Sequence, residues 1–125
     1  MITEDYISFE IAKLLKDKRF NEPCYAYWHE DENRLIISQS MYPIKNITNP
    51  CFFGPAAPTL QMAMKWLRDI HGLFIHIDVI REASCWLADI QDIKGDVSVY
   101  PVEKEFPNYE EACEAAIKYC LKNLI

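Results

Sequence analysis

The stretch LFIHIDVIREASCWLADIQDI, residues 73–93, decides the fold. Two runs rich in β-branched and aromatic residues, 73–80 and 84–93, flank a short polar link, which is typical of a β-hairpin. Pairing Ile80 with Cys85 places the apolar side chains of both strands on the same face. Because the two strands agree on this face, the sequence predicts the register of the hairpin as well as its existence.

Three helices and further strands are predicted around this hairpin. Apolar residues recur at helical spacing from Ile7, with Thr3 or Ser8 as the N-cap, then between Thr59 and Gly72, and again after Asn108. The runs 24–29 and 34–39 indicate an earlier hairpin, and 97–102 indicates an edge strand that tolerates Pro101.

The predicted fold class is α+β, with a mainly antiparallel sheet of four to five strands and three helices in the order α-β-β-α-β-β-(β)-α. No linker, repeat or low-complexity tract interrupts the sequence, so we predict a single domain over residues 1–125.

Composition argues against several classes of function. The chain has 13 Lys and Arg against 19 Asp and Glu, a net charge of −6, so its overall field repels nucleic-acid phosphates. Its five cysteines show no C-x-x-C spacing, which is typical of reduced thiols in a reducing compartment. There is neither a leader-like N-terminus nor a long apolar run, so we expect a cytoplasmic protein without membrane contact.

The segment MYPIKNITNPCFFGPAAP, residues 41–58, is long for a connection and unusually apolar. It precedes a helix whose apolar arc covers more than half a turn, because Met62 and Trp66 extend it sideways. Two interpretations follow, and they are compatible: the segment covers this flank of the helix, or both belong to a surface that binds another chain. The second interpretation predicts a partner-binding surface made of six residues: Tyr42, Ile47, Phe52, Phe53, Met62 and Trp66.

A weaker candidate site lies on the polar face of the 73–93 hairpin. The predicted register puts His76 opposite Asp89, with Asp78 on the same face, so a His-carboxylate cluster or a surface ion pair is expected. Cys51 is the one cysteine in a predicted loop and could act as a nucleophile, but no His or cation neighbours it in the sequence. No catalytic motif, cofactor fingerprint or metal-ligand spacing is present, so none of these is predicted.

Three segments carry a resemblance to known sequences: ISFEIAKLLKDKRFNEPCYAYW, APTLQMAMKWLRDIHG and YEEACEAAIKYCLKNLI. In these the chain resembles a group of short uncharacterised proteins from gut anaerobic bacteria, some of them encoded in phage-like or mobile regions. The resemblance spans most of the chain. It implies no catalytic residues, substrate or cofactor.

Three functional hypotheses follow. The leading one is a cytoplasmic protein-binding or self-associating module, such as a homodimeric accessory protein of a phage or mobile element. The second is a small enzyme built on the His/Asp cluster or on Cys51. The third is an acidic inhibitor or immunity-type protein, suggested by five carboxylates: Glu30, Asp31, Glu32, Glu103 and Glu105.

Overall fold

The structure is a computed structural model of the 125-residue chain. It describes residues 2–38, 47–49, 51–95 and 99–125, and Glu103 through its backbone only. The chain divides into two compact units, Met1–Thr59 and Leu60–Ile125. The single domain over residues 1–125 stays a prediction.

The first unit combines a short helix, α1 (Phe9–Asp17), with a two-stranded antiparallel sheet, β1 (Ala26–His29) and β2 (Arg34–Ile37). The Ser8 hydroxyl accepts a hydrogen bond from the Ile11 amide at 3.3 Å and caps α1, as one of the two predicted caps. The buried core of this unit includes the apolar face of α1 and the residues on either side of it: Ile7, Ile11, Ala12, Leu15 and Phe20.

The segment that follows Cys51 packs along the outer edge of β1. Its backbone bonds to the strand through three contacts: Glu30 N to Phe53 O at 2.9 Å, Trp28 N to Pro55 O at 3.0 Å, and Ala57 N to Ala26 O at 2.9 Å. These are ladder-like bonds, so residues 53–57 behave as an irregular third strand. The prolines do not prevent this, because Pro55 contributes only a carbonyl acceptor.

The second unit is a three-stranded antiparallel sheet with two helices. The sheet contains β3 (Leu73–Ile80), β4 (Cys85–Asp92) and β5 (Val99–Phe106), in the order β3-β4-β5. Helix α2 (Leu60–His71) packs along β3, and α3 (Tyr109–Tyr119) packs across all three strands and against α2. The chain then ends in a π-helical turn, Cys120–Leu124.

The observed pairing confirms the predicted register. Ile80 pairs with Cys85 and His76 pairs with Asp89. Ile75 and Ile90 are directly opposite each other, and both are buried on the helix side of the sheet. This apolar face is less covered toward the end of β3, where Val79 is 42% exposed.

The helix boundaries in this unit are set by the residues that the sequence indicated. Gly72 adopts φ 67° directly after α2, a left-handed conformation that glycine tolerates and that ends the helix. The Asn108 side chain accepts a hydrogen bond from the Glu111 amide at 2.8 Å and caps α3.

Within the described residues, the α+β class and the predicted element order are confirmed, including the optional fifth strand. The five strands form two separate antiparallel sheets. Strand β5 continues four residues beyond the predicted Val102, to Phe106, across an irregularity in its pairing with β4 between Trp86 and Ala88. No helix in the described ranges is both long and apolar enough to cross a bilayer.

We expect Gly54→Ala to lower the free energy of unfolding by about 3 kcal/mol, the upper range for overpacking. A Cβ at this position would lie 1.9 Å from the Trp28 carbonyl oxygen, which is backbone and cannot move aside without breaking the contact with β1. Urea unfolding followed by circular dichroism measures the loss. Gly95→Ala is the matched control: its Cβ would come no closer than 3.3 Å to a side-chain oxygen of Asp92. It should change stability by less than about 0.5 kcal/mol, and equal losses in the two variants would contradict the packing argument.

Candidate partner-binding surface

Four rings of the first unit form an exposed group, which we call the aromatic cluster: Tyr27, His29, Phe52 and Phe53. The Phe53 ring stacks on His29, with ring centroids 5.5 Å apart, and on Tyr27, with centroids 6.0 Å apart. Phe52 meets Phe53 edge-on at 5.1 Å. These distances lie in the range of favourable aromatic pairs, so the four side chains form one contiguous surface.

The exposure of this cluster increases toward its tip. Phe52 is 94% exposed and Phe53 is 51% exposed, while Tyr27 and His29 are half-buried beneath them. In contrast, Phe20 in the same unit is completely buried. An exposed pair of Phe residues is informative because large apolar groups that adjoin each other on a surface mark interaction sites more often than single exposed ones do.

The backbone around the cluster is held on both sides. After Phe53, residues 53–57 bond to β1. Before Phe52, the Asn49 amide group donates to the Phe20 carbonyl at 2.7 Å, and its oxygen accepts from the Ala56 amide at 3.0 Å. Asn49 thus ties the segment to Phe20, in the loop that follows α1. A surface anchored in this way loses less conformational entropy when it binds.

An acidic turn adjoins the cluster. The β1–β2 turn directly follows His29 and carries Glu30, Asp31 and Glu32. Its backbone contacts the cluster twice, because the Glu30 amide bonds to the Phe53 carbonyl at 2.9 Å and the Glu32 amide bonds to His29 Nδ1 at 3.2 Å. Arg34 neutralises part of the charge of the turn through an exposed ion pair with Glu32 at 2.9 Å. We call this turn, residues 30–32, the acidic rim.

The other predicted surface residues are distributed differently. Tyr42 lies outside the described residues. Ile47 is half-buried and bonds through its backbone to Cys24 in both directions, at 2.7 and 3.1 Å.

Met62 and Trp66 belong to α2 in the second unit, where Met62 is half-buried and Trp66 is only 6% exposed. The Trp66 ring packs edge-on against His71 at 4.7 Å, so it does not offer a face to a partner. That residues 41–58 cover the flank of α2 stays a prediction, because the two belong to different units.

Tyr27 and His29 were not among the predicted site residues. The sequence feature that could have identified them is the alternation of side chains along the strand, which puts Tyr27 and His29 on one face and the buried Ala26 on the other. What the sequence could not supply is the position of Phe53, since nothing in it indicates that residues 53–57 lie along β1.

The polar cluster on β3 and β4 forms only in part. His76 Nδ1 and Asp89 Oδ2 are 3.5 Å apart, and their side chains are 55% and 38% exposed. The Asp78 carboxylate instead accepts a hydrogen bond from the Val79 amide at 2.9 Å. An exposed pair on an open strand surface orients neither group toward an enclosed substrate, and it is a normal stabiliser of a sheet.

Two further features of the described residues bear on the small-enzyme hypothesis. Among the described residues no set of three or more His, Cys, Asp or Glu could hold a metal ion. A cleft of about 290 Å³ in the first unit is lined by Lys16, Arg19, Phe20, Asn21 and Asn49. This lining includes no carboxylate, thiol, hydroxyl or imidazole group, and the Asn49 amide is already engaged in structural bonds.

Scans of the chain against protein-family models, curated proteins and solved structures each returned no match.

We expect Asn49→Ala to lower the free energy of unfolding by about 2 kcal/mol, because it leaves the Phe20 carbonyl and the Ala56 amide without their side-chain partner. Amide hydrogen exchange should accelerate at Ala56 in particular. Asn123→Ala is the control, since its side chain bonds to the Tyr119 carbonyl at an exposed position, and it should be nearly neutral. Unchanged exchange at Ala56 would contradict the anchoring role of Asn49.

Thiol labelling should distinguish Cys51 from the other four cysteines. Cys51 is half-buried, whereas Cys24, Cys85, Cys113 and Cys120 are buried. Burial raises the pKa of the Cys113 thiol and raises that of Cys120 to about 12, so reactive thiolate is scarce at pH 7. Iodoacetamide should modify Cys51 of the folded protein at least about 100-fold faster than Cys113 or Cys120, as measured by peptide mass spectrometry. In urea all five should react, and similar native rates would show that the core opens readily.

Proposed function

We propose that the protein is a protein-binding module that docks its partner on the aromatic cluster. One observation carries this proposal: Phe52 is 94% exposed next to the half-exposed Phe53. Covering a Phe side chain gains about 2 kcal/mol. Two adjacent rings can therefore supply the hot spot of an interface, where a few residues provide most of the binding energy.

The partner that fits best is a different protein with an apolar pocket and a basic rim. The acidic turn at residues 30–32 borders the rings, so basic residues around the pocket would complement it and speed association. A second copy docked through the same surface would bring another acidic turn toward this one. Nucleic-acid bases can also stack on aromatic rings, but the phosphates would meet the acidic rim and a chain of net charge −6.

The two alternative functions have less support. The His76–Asp89 pair is exposed and lacks a third group that would orient it for catalysis. For the acidic inhibitor, Glu30, Asp31 and Glu32 belong to the first unit, whereas Glu105 belongs to the second. The acidic turn beside the rings is better explained as the rim of a protein-binding surface.

The test compares capture of partners by the wild type, by Phe52→Ala/Phe53→Ala, and by Val99→Ala. Val99 is the matched control, because it is also an exposed apolar residue, 56% exposed, but belongs to β5 of the second unit. Each immobilised protein is incubated with extract of the native host, and retained proteins are quantified by mass spectrometry. A protein captured by the wild type and Val99→Ala but not by the double variant is then purified, and its affinity is measured by calorimetry.

The proposal predicts that the double variant binds the purified protein at least about 100-fold more weakly, the loss expected from removing two hot-spot residues. Affinity should also fall with rising salt, because the acidic rim contributes. Circular dichroism must show that the double variant is folded. A partner that binds all three proteins equally, or extract proteins that never discriminate between them, would overturn the proposal.

A further inference from the structure

A second surface, independent of the aromatic cluster, is the free edge of β3. The sheet order β3-β4-β5 makes β3 an edge strand, and no other described strand pairs with it. The Ile93 amide donates to the Gly72 carbonyl at 2.8 Å. Gly72 and Ile93 are therefore a hydrogen-bonded pair of the antiparallel ladder, and such pairs recur at every second residue along β3. Alternate residues from Phe74 to Ile80 therefore bond to β4, whereas Leu73, Ile75, Ile77 and Val79 direct their amides and carbonyls outward.

The bond between the Val79 amide and the Asp78 carboxylate, 2.9 Å, agrees with this phase, since that amide faces away from β4. The edge also borders a cleft of about 240 Å³ between α2 and β3, lined by Gln61, Met64, Lys65, Arg68, Phe74 and Ile75. Toward the other end of the strand, Ile77 is half-buried and Val79 is 42% exposed. The edge thus combines unpaired backbone groups with incompletely covered apolar side chains.

We propose that β3 pairs antiparallel with β3 of a second copy, around a twofold axis at Ile77. The pairing would join the two three-stranded sheets into one sheet of six strands. Leu73, Ile75, Ile77 and Val79 direct their backbone groups outward, so these residues must lie opposite one another in the two copies. This condition is met when the twofold axis passes through a residue of the strand, and only an axis at residue 76, 77 or 78 gives a long overlap.

The charges on the strand select one of these three registers. An axis at 78 places Asp78 opposite Asp78 of the second copy, and an axis at 76 places Asp78 opposite the apolar Phe74. An axis at 77 places His76 opposite Asp78 of the second copy, and this pair occurs twice by symmetry. A histidine opposite a carboxylate can donate a hydrogen bond to it, whereas like charges directly opposite each other destabilise a sheet.

The same register matches the apolar residues. On the helix side, Ile75 faces Val79 of the second copy and Ile77 faces itself, so the exposed part of Val79 becomes covered. On the other side, Phe74 faces Ile80 of the second copy. This self-complementarity on both faces of the strand is why the occupant is a second copy of the chain and not an unrelated strand.

Asp78 has a second role in this pairing. In the single chain its carboxylate occupies the Val79 amide, the donor that would bond to Ile75 of the second copy. The carboxylate must release this amide when the strands pair, and it gains His76 of the second copy in exchange. Asp78 therefore weakens pairing with unmatched strands, because they would not replace the lost bond.

Cysteine cross-linking tests the register directly. In a Cys51→Ser background, Ile77→Cys places two thiols on the twofold axis, with Cα atoms about 5.5 Å apart, within the range of a disulfide. Val79→Cys is the matched control, because its copies would lie about 13 Å apart, four residues along the strand, too far for a disulfide. Under mild oxidation Ile77→Cys should form at least ten times more disulfide-linked dimer than Val79→Cys. Equal yields, or a higher yield for Val79→Cys, would overturn the register.

Sedimentation velocity over a range of concentrations tests the association itself. The wild type and Glu110→Gln should dimerise alike, since Glu110 is exposed in the first turn of α3 and does not belong to β3. Val79→Lys should weaken the dimer at least tenfold. If Val79→Lys fails to fold, the exposed Asp78 is tested instead, because Asp78→Lys puts a cationic side chain opposite His76 of the second copy and should weaken the dimer equally. Phe52→Ala/Phe53→Ala should still dimerise, which separates this inference from the proposed function. A wild type that stays monomeric at its highest soluble concentration would overturn the inference and leave the aromatic cluster untouched.

Discussion

The register between β3 and β4 determines which side chains of the second unit face the helices and which face solvent. With Ile80 opposite Cys85, Ile75 and Ile90 meet beneath the helices, while His76 and Asp89 lie on the other face. A slip by one residue would reverse this arrangement and expose the apolar set. The same register also fixes the phase of the free edge, and hence which backbone groups of β3 a second strand could reach.

In the first unit, the segment around Phe53 is fixed by its backbone, and the burial of its side chains is not needed to hold it in place. The segment around Phe53 is held by main-chain bonds to β1 and by the side chain of Asn49. Its stability therefore does not require the Phe52 ring to be buried, and that ring projects into solvent. Gly54 makes this possible because its lack of a Cβ allows the segment to approach the Trp28 carbonyl. A rigid backbone that presents apolar side chains is a good binding surface, because little order is lost on association.

The two proposed surfaces would act together. A dimer formed through β3 would carry two aromatic clusters, one from each copy. If both engaged a partner with two binding sites, the second contact would be intramolecular, and avidity could exceed the affinity of a single cluster. The two surfaces also differ in the interactions that would bind a partner. The aromatic cluster would bind through apolar burial next to an acidic rim, whereas the β3 edge would bind through backbone hydrogen bonds and the cross-strand pair of His76 and Asp78.

The sequence by itself determined the element order, the helix ends at Gly72 and Asn108, and the register of the second hairpin, and it left two candidates, Thr3 and Ser8, for the cap of the first helix. These are local or periodic properties: a cap needs one side chain near its own backbone, and an alternating pattern shows which face is apolar. It also identified Phe52 and Phe53 as unusual. Only the tertiary structure decided that residues 53–57 lie along β1, since main-chain bonds to a distant segment leave no periodic trace in the side chains. In the same way, the wide apolar arc of α2 could not show that Trp66 is buried, because periodicity gives the width of a face and not what covers it.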